Sequence, residues 1–149
     1  MLAFGIGHVL YITSMAIRFP GYEMNLLWSA LGSAAIVGVM FLVCVYAMKM
    51  QFGKFLIPSI AYAFLLCWFV VLSATYVKPA QGSASAGILL AGAILFVISD
   101  MVLSMTYFSK PADYERKGML NPESRLMIIV NHATYYLAQF LIALSLLFI

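Results

Sequence analysis

Asp100 is the residue whose type and position most clearly invite chemistry. It sits near the midpoint of Gly87 to Ser109, GILLAGAILFVISDMVLSMTYFS, a run long enough to cross a hydrocarbon core of ~30 Å as a helix. An aspartate at the centre of a membrane helix costs roughly 2.5–3.5 kcal/mol on insertion scales, so it needs either polar partners or a task. A carboxyl group held there can give and take a proton, which makes Asp100 the first candidate for a catalytic acid or base. His8, in the apolar run that opens the chain, is the second, because a neutral imidazole is tolerated among apolar groups and can relay a proton. Tyr11, Ser99, Tyr135, Tyr136 and Gln139 add the hydroxyl and amide groups that a bound substrate would meet. The plainer reading of Asp100 is a polar clasp that pins helices together.

Composition says what kind of scaffold must position these side chains. Of 149 residues, 65% are hydrophobic and only 9% are charged, and the mean hydropathy of +1.05 lies outside the range of soluble domains. The expected fold is all-α: one transmembrane domain over 1–149, a bundle of about five helices at 1–17, 26–48, 55–77, 87–109 and 126–149. The first run reaches only ~25 Å as a helix, short for a complete crossing. No basic n-region or cleavage site opens the chain, so a removable signal peptide is not expected.

The net charge of +3 arises from residues that lie nearly all between the apolar runs, so it bears on topology and offers no basic stripe to a nucleic acid. Cys44 and Cys67 fall in separate apolar runs without C-x-x-C spacing and read as small buried hydrophobes. No disulfide, metal or cofactor is expected. His8 and His132 could in principle be axial ligands of a haem, but Tyr135 and Tyr136 crowd the last helix where such a group would sit.

Several local expectations follow. Arg18-Phe19-Pro20-Gly21 should break the first helix, and residues 78–85 should form a small polar loop. Ala30, Ala34 and Gly38 recur every four residues, a spacing that lets helix backbones approach closely. Tyr62, Trp68 and Tyr76 read as aromatics at the headgroup level. Residues 110–125 should be a solvated loop, with Asn121-Pro122-Glu123-Ser124 starting the last helix. Lys and Arg concentrate in the 49–54 and 110–125 connections, which the positive-inside rule puts in the cytoplasm, leaving the C-terminus outside.

Parity puts Met1, Ser109 and Leu126 at one membrane face. Counted from it at ~1.5 Å per residue, His8, Tyr11, Asp100, Tyr135 and Tyr136 all lie roughly 11–15 Å deep. His132, Tyr135, Tyr136 and Gln139 share one helical face by their i, i+3, i+4, i+7 spacing, as do Phe96, Asp100, Ser104 and Tyr107, and His8, Tyr11 and Met15. Buried polar groups need partners where water is absent. The expectation is a polar pocket shared by the first, fourth and fifth helices.

Three stretches, in this order, carry a resemblance: Gly7-His8-Val9-Leu10-Tyr11, Ala93-Ile94-Leu95-Phe96-Val97-Ile98-Ser99-Asp100-Met101-Val102-Leu103, and Thr134-Tyr135-Tyr136-Leu137-Ala138-Gln139-Phe140-Leu141-Ile142. The chain resembles the YhhN-like lysoplasmalogenase family of polytopic membrane proteins over essentially its whole length. The resemblance implies a hydrolase that cleaves the vinyl-ether bond of lysoplasmalogens, giving a fatty aldehyde and a glycerophospho-ethanolamine or -choline. It also implies three further crossings ahead of the first helix, one of them carrying a second acidic motif, Gly-Asp. Without that second acid, a chain whose two carboxylates share the acid and base duties is expected to be inactive on its own.

The expected partners are a lysophospholipid substrate and the lipid bilayer, with a homo-oligomer allowed, and the short loops favour a bacterial inner membrane. The alternative function is non-enzymatic, a proton or solute path along Asp100 and His8.

Overall fold

The computed structural model describes residues 2–18, 23–77, 84–115, 118, 121–145 and 147, and among these there are helices and turns but no strand. Helix α1 spans Leu2–Arg18 and α2 spans Glu23–Leu42, the latter running on into a π-helical turn at Val43–Ala47. A 3-10 turn at Gly53–Phe55 leads into α3, Leu56–Val77, and α4 follows at Ala84–Phe108. A short α5, Pro111–Tyr114, precedes α6, Arg125–Ser145. The helix break expected at Phe19-Pro20-Gly21 lies outside the described residues, as do residues 78–83 of the polar loop. Ala84 and Ser85, assigned to that loop by sequence, belong instead to α4, where the Ser85 hydroxyl donates to the Ser145 carbonyl at 2.9 Å.

Four stretches, Leu26–Ala47, Gly53–Val77, Ala84–Phe108 and Arg125–Ser145, are long and apolar enough to cross a membrane, and Ala3–Ile17 is a shorter apolar helix. Large apolar side chains such as Ile17, Leu27, Ile57 and Phe140 stand exposed on the outside. Soluble monomers do not hold that much contiguous apolar surface against water, whereas acyl chains solvate it freely. The chain is an all-α polytopic integral membrane protein.

α3 is the hub, packing against α1, α2 and α4, while α4 makes its most extensive contact with α6. The core joins Ile12 and Met15 of α1, Leu66, Phe69 and Leu72 of α3, Ala86, Ala93 and Phe96 of α4, and Ala138 and Ile142 of α6. The closest backbone approach is at Gly92. A Cβ there would lie 2.9 Å from Ile142 Cγ1 and 3.1 Å from the Ala138 carbonyl oxygen. The stripe expected to serve that purpose does not: Ala34 and Gly38 are exposed, and a Cβ on Gly38 would meet nothing within 4 Å. α2 instead buries Ser29, Ser33 and Val37, and Trp68 of α3 donates its indole N–H to Ser29 Oγ at 2.9 Å.

At the membrane face where α2 ends, the chain turns sharply. The Met48 amide reaches the Val43 carbonyl at 3.0 Å, and Lys49 then takes a left-handed backbone (φ 54), which terminates the helix. The Gln51 amide donates to the Phe108 carbonyl at 2.9 Å, and the Phe52 and Phe108 rings lie 4.6 Å apart. The basic turn and the end of α4 therefore share one face, as parity requires.

The described residues of the 110–125 connection, 110–115, 118 and 121–125, make more contacts than a solvated loop would. The Tyr114 hydroxyl donates to the Thr106 carbonyl, Asn121 Nδ2 donates to the Tyr114 carbonyl at 2.8 Å, and Pro122 is buried. α6 also starts later than Asn121-Pro122 suggested. Those residues form a turn in which Asn121 Oδ1 accepts from the Glu123 amide, and Ser124 is the residue that caps the helix, its Oγ accepting from the Met127 amide at 3.3 Å.

Candidate functional site

The site is built where α3 and α4 face each other. Tyr62 and Asp100 meet across that interface, the phenol donating to Asp100 Oδ2 at 2.6 Å. This is a short bond of the kind that holds a carboxyl group in one orientation. Beside Asp100, Ser99 points to α6, where its hydroxyl donates to Asn131 Oδ1 at 2.9 Å. Consecutive residues on a helix face ~100° apart, so Ser99 clamps α4 to α6 while Asp100 looks toward α3.

A cavity of about 320 Å³ opens onto this pair. Ser59, Tyr62, Leu66 and Cys67 of α3 form one wall, and Val97, Asp100, Ser104 and Tyr107 of α4 form another. Asn131, His132, Tyr135 and Tyr136 of α6 close a third side. α2 and its following turn contribute Met40, Phe41, Cys44 and Phe52, and α1 contributes Phe4 alone. The π-helical turn places Cys44 on the wall, a use of helix irregularity that recurs at functional sites.

The arrangement differs from the pocket expected among the first, fourth and fifth helices. Asp100, Ser99, Tyr135 and Tyr136 line the cavity, but His8, Tyr11 and Gln139 do not. His8 is 1% exposed and enclosed by the rings of Tyr11, Tyr62, Phe69 and Phe96, the nearest centroid being Phe96 at 4.8 Å. Its Nδ1 lies 2.8 Å from the Phe4 carbonyl, and since a carbonyl only accepts, Nδ1 carries the hydrogen. Nε2 is then the bare nitrogen of the neutral ring, and it finds no partner among the described residues. Tyr11 stacks on Phe69 at 5.4 Å.

The inward face of α6 is also rotated from the one expected. Ala138, Ile142 and Ser145 are buried, whereas His132 is exposed and Tyr136 is 65% exposed, standing at the cavity's outer edge.

What sequence reasoning missed is α3. Tyr62, Trp68 and Tyr76 read as headgroup-level aromatics, yet Tyr62 bonds Asp100 and Trp68 bonds Ser29 inside the bundle; Tyr76, beside the end of α3 at Val77, packs in the core. A signal existed in the i, i+3 spacing of Ser59 and Tyr62, polar residues in the otherwise apolar first half of α3.

Comparison with protein families gives a match over residues 1–146 to the model of the YhhN family. The chain belongs to the YhhN family. No curated protein and no solved structure matches it. Two of the stretches that suggested this membership, those around His8 and Asp100, are therefore segments of a YhhN protein that meet around Tyr62, one through ring contact and the other through a hydrogen bond. No group of three or more His, Cys, Asp or Glu side chains is brought together among the described residues of this YhhN chain.

Proposed function

We propose that this YhhN protein hydrolyses the vinyl-ether bond of a lysoplasmalogen, with Asp100 as the acid-base group and Tyr62 holding it in place. The observation that carries the reading is the Tyr62–Asp100 bond on the wall of a cavity that is otherwise largely apolar. An amphiphile suits such a wall. Its polar part meets the carboxyl, and its chain lies against Leu66, Cys67 and Val97 or leaves between helices into the surrounding lipid.

The chemistry balances with one carboxyl group and one water. Asp100 in its acid form gives its proton to the vinyl carbon distant from the ether oxygen, and the remaining cation is shared between the other vinyl carbon and that oxygen. The carboxylate left behind stabilises this oxocarbenium-like species, and the Tyr62 hydroxyl donates to the carboxylate throughout. Water adds to the cationic carbon and returns a proton to Asp100. The hemiacetal then breaks its C–O bond, its hydroxyl proton passing by way of Asp100 to the departing oxygen, and releases the fatty aldehyde and the glycerophospho-ethanolamine or -choline.

Among the described residues the partner of Asp100 is a phenol, and in this proposal Asp100 alone takes both the acid and the base duties that a second acid was expected to share. We give His8 no proton-relay role, because its Nε2 has no hydrogen-bond partner among the described residues and the ring does not line the cavity. We assign His8 to positioning the Tyr62 ring, which it meets edge to face at 6.1 Å. The bilayer of operation is proposed to be a bacterial inner membrane, with the 49–54 and 110–125 connections on the cytoplasmic side.

The test is direct. The purified chain in lipid nanodiscs should release fatty aldehyde from 1-alkenyl lysophosphatidylethanolamine and none from its 1-acyl counterpart, and Asp100→Asn should abolish release. No release by the wild-type chain, or unchanged release by Asp100→Asn, overturns the proposal. Substrate-independent proton flux in liposomes without aldehyde release would favour the alternative of a proton path through Asp100.

A further inference from the structure

One polar group on the cavity wall takes no part in the chemistry above. Ser59 is 6% exposed, lines the cavity, and its hydroxyl has no hydrogen-bond partner among the described residues. Serines elsewhere in the bundle behave differently: Ser29, Ser33 and Ser73 satisfy their hydroxyls on carbonyls of their own helices. A buried hydroxyl left unpaired costs folding free energy, so its retention beside a cavity points to a partner that arrives with a ligand.

The level of Ser59 follows from the helices. Tyr62 and Asp100 are bonded, so they share one depth. α3 runs away from the basic turn at Lys49–Lys54 and α4 runs toward it. Ser59 precedes Tyr62 by three residues and Ser104 follows Asp100 by four, so both sit ~4.5–6 Å nearer to that face than the carboxyl does. Ser104 lines the same cavity. Inward along the cavity wall the order is therefore Ser59 and Ser104, then Asp100, then the apolar Leu66, Cys67 and Val97, with Phe52 and Phe108 lining the end nearer that face. The succession of hydroxyls, acid and apolar wall matches that of phosphodiester, ether and chain along a lysophospholipid.

Resting on the hydrolase reading above, we propose that Ser59 is a specificity residue that donates to a phosphodiester oxygen of the lysolipid. Ser104 lies beside it as part of the same rung, and the headgroup points toward the basic face. In this orientation the ether oxygen rests at Asp100 and the chain runs inward. A substrate without a phosphate leaves Ser59 unpaired.

The experiment uses the full chain in nanodiscs and a ligand that the enzyme has no means of cleaving, a saturated 1-O-alkyl lysophosphatidylethanolamine, with binding followed by calorimetry. Ser59→Ala should raise its Kd about ten- to hundredfold, the size expected for one hydrogen bond to a charged oxygen. The same variant should leave the Kd of a 1-O-alkylglycerol, which lacks the phosphate, unchanged. Ser59→Thr, which keeps a hydroxyl, should retain most of the affinity for the phospholipid. The melting temperature of Ser59→Ala should not fall, because the hydroxyl has no partner in the free protein. An unchanged phospholipid Kd in Ser59→Ala, or an equal loss for both ligands, overturns the proposal. Because the probe is not hydrolysed, a Ser59-dependent phospholipid Kd in a chain that releases no aldehyde would sink the hydrolase reading and leave the subsite standing.

Discussion

Tyr62 and Asp100 are joined by a 2.6 Å hydrogen bond across the α3–α4 interface, on the wall of a cavity of about 320 Å³. A carboxyl group at mid-membrane depth is thereby given a fixed direction. Tyr62→Phe keeps the ring and its contacts with His8 while removing only the donor. The expected result is a folded protein with kcat lowered by about 10- to 100-fold, corresponding to roughly 1.5–3 kcal/mol for a hydrogen bond to a charged group. In a double-mutant cycle with Asp100→Asn, the loss from Tyr62→Phe should largely vanish, since the phenol acts through the carboxyl. Additive losses would show that Tyr62 acts independently.

His8 gives a prediction that separates packing from proton transfer. Phenylalanine fills a box of four aromatic rings about as well as imidazole does, so His8→Phe should keep turnover within about threefold. His8→Ala empties the box and should destabilise the protein by about 2–4 kcal/mol, read as a fall in melting temperature in detergent. Loss of turnover in a well-folded His8→Phe would restore the histidine to the chemistry.

Helix packing can be tested at two glycines with opposite outcomes. A methyl on Gly92 would press on backbone atoms of α6, where little can yield, so Gly92→Ala should cost about 1–3 kcal/mol and Gly92→Val more. Gly38 faces open space, and Gly38→Ala should leave the melting temperature unchanged or slightly raised, since alanine favours the helix by up to about 1 kcal/mol.

The two free thiols offer an occupancy probe. Cys44 and Cys67 are buried and line the same cavity from α2 and α3. A small apolar thiol reagent should label both slowly, and saturating alkyl lysolipid should slow both further. Mass spectrometry of the labelled chain reads the two positions separately. Protection of neither would place the lipid elsewhere.

The sequence carried the bundle and its central acid because those signals are strong: apolar runs of crossing length and one intramembrane carboxylate. Membership of the YhhN family was legible in three short stretches for the same reason, since polar residues in apolar context stand out. The rotation of α6 was not legible. Its polar residues share one helical face, but the demand for close contact with Gly92 turns Ala138 inward instead and leaves His132 and Tyr136 at the edge. Spacing along one helix gives a face, and only the neighbouring helix decides which face is inside. Tyr62 was passed over because a tyrosine near a membrane helix end usually marks the interface, and nothing in α3 alone reveals the acid it meets on α4.

With no atom to spare between Gly92 and the peptide group of Ile142, α4 and α6 are packed backbone to backbone where they cross. The opposite half, where α2 runs into its π turn and rests on α3, meets the cavity through side chains instead. The fold should accordingly tolerate changes at Met40, Phe41 and Cys44, on the cavity's other wall, more readily than any side chain added at Gly92.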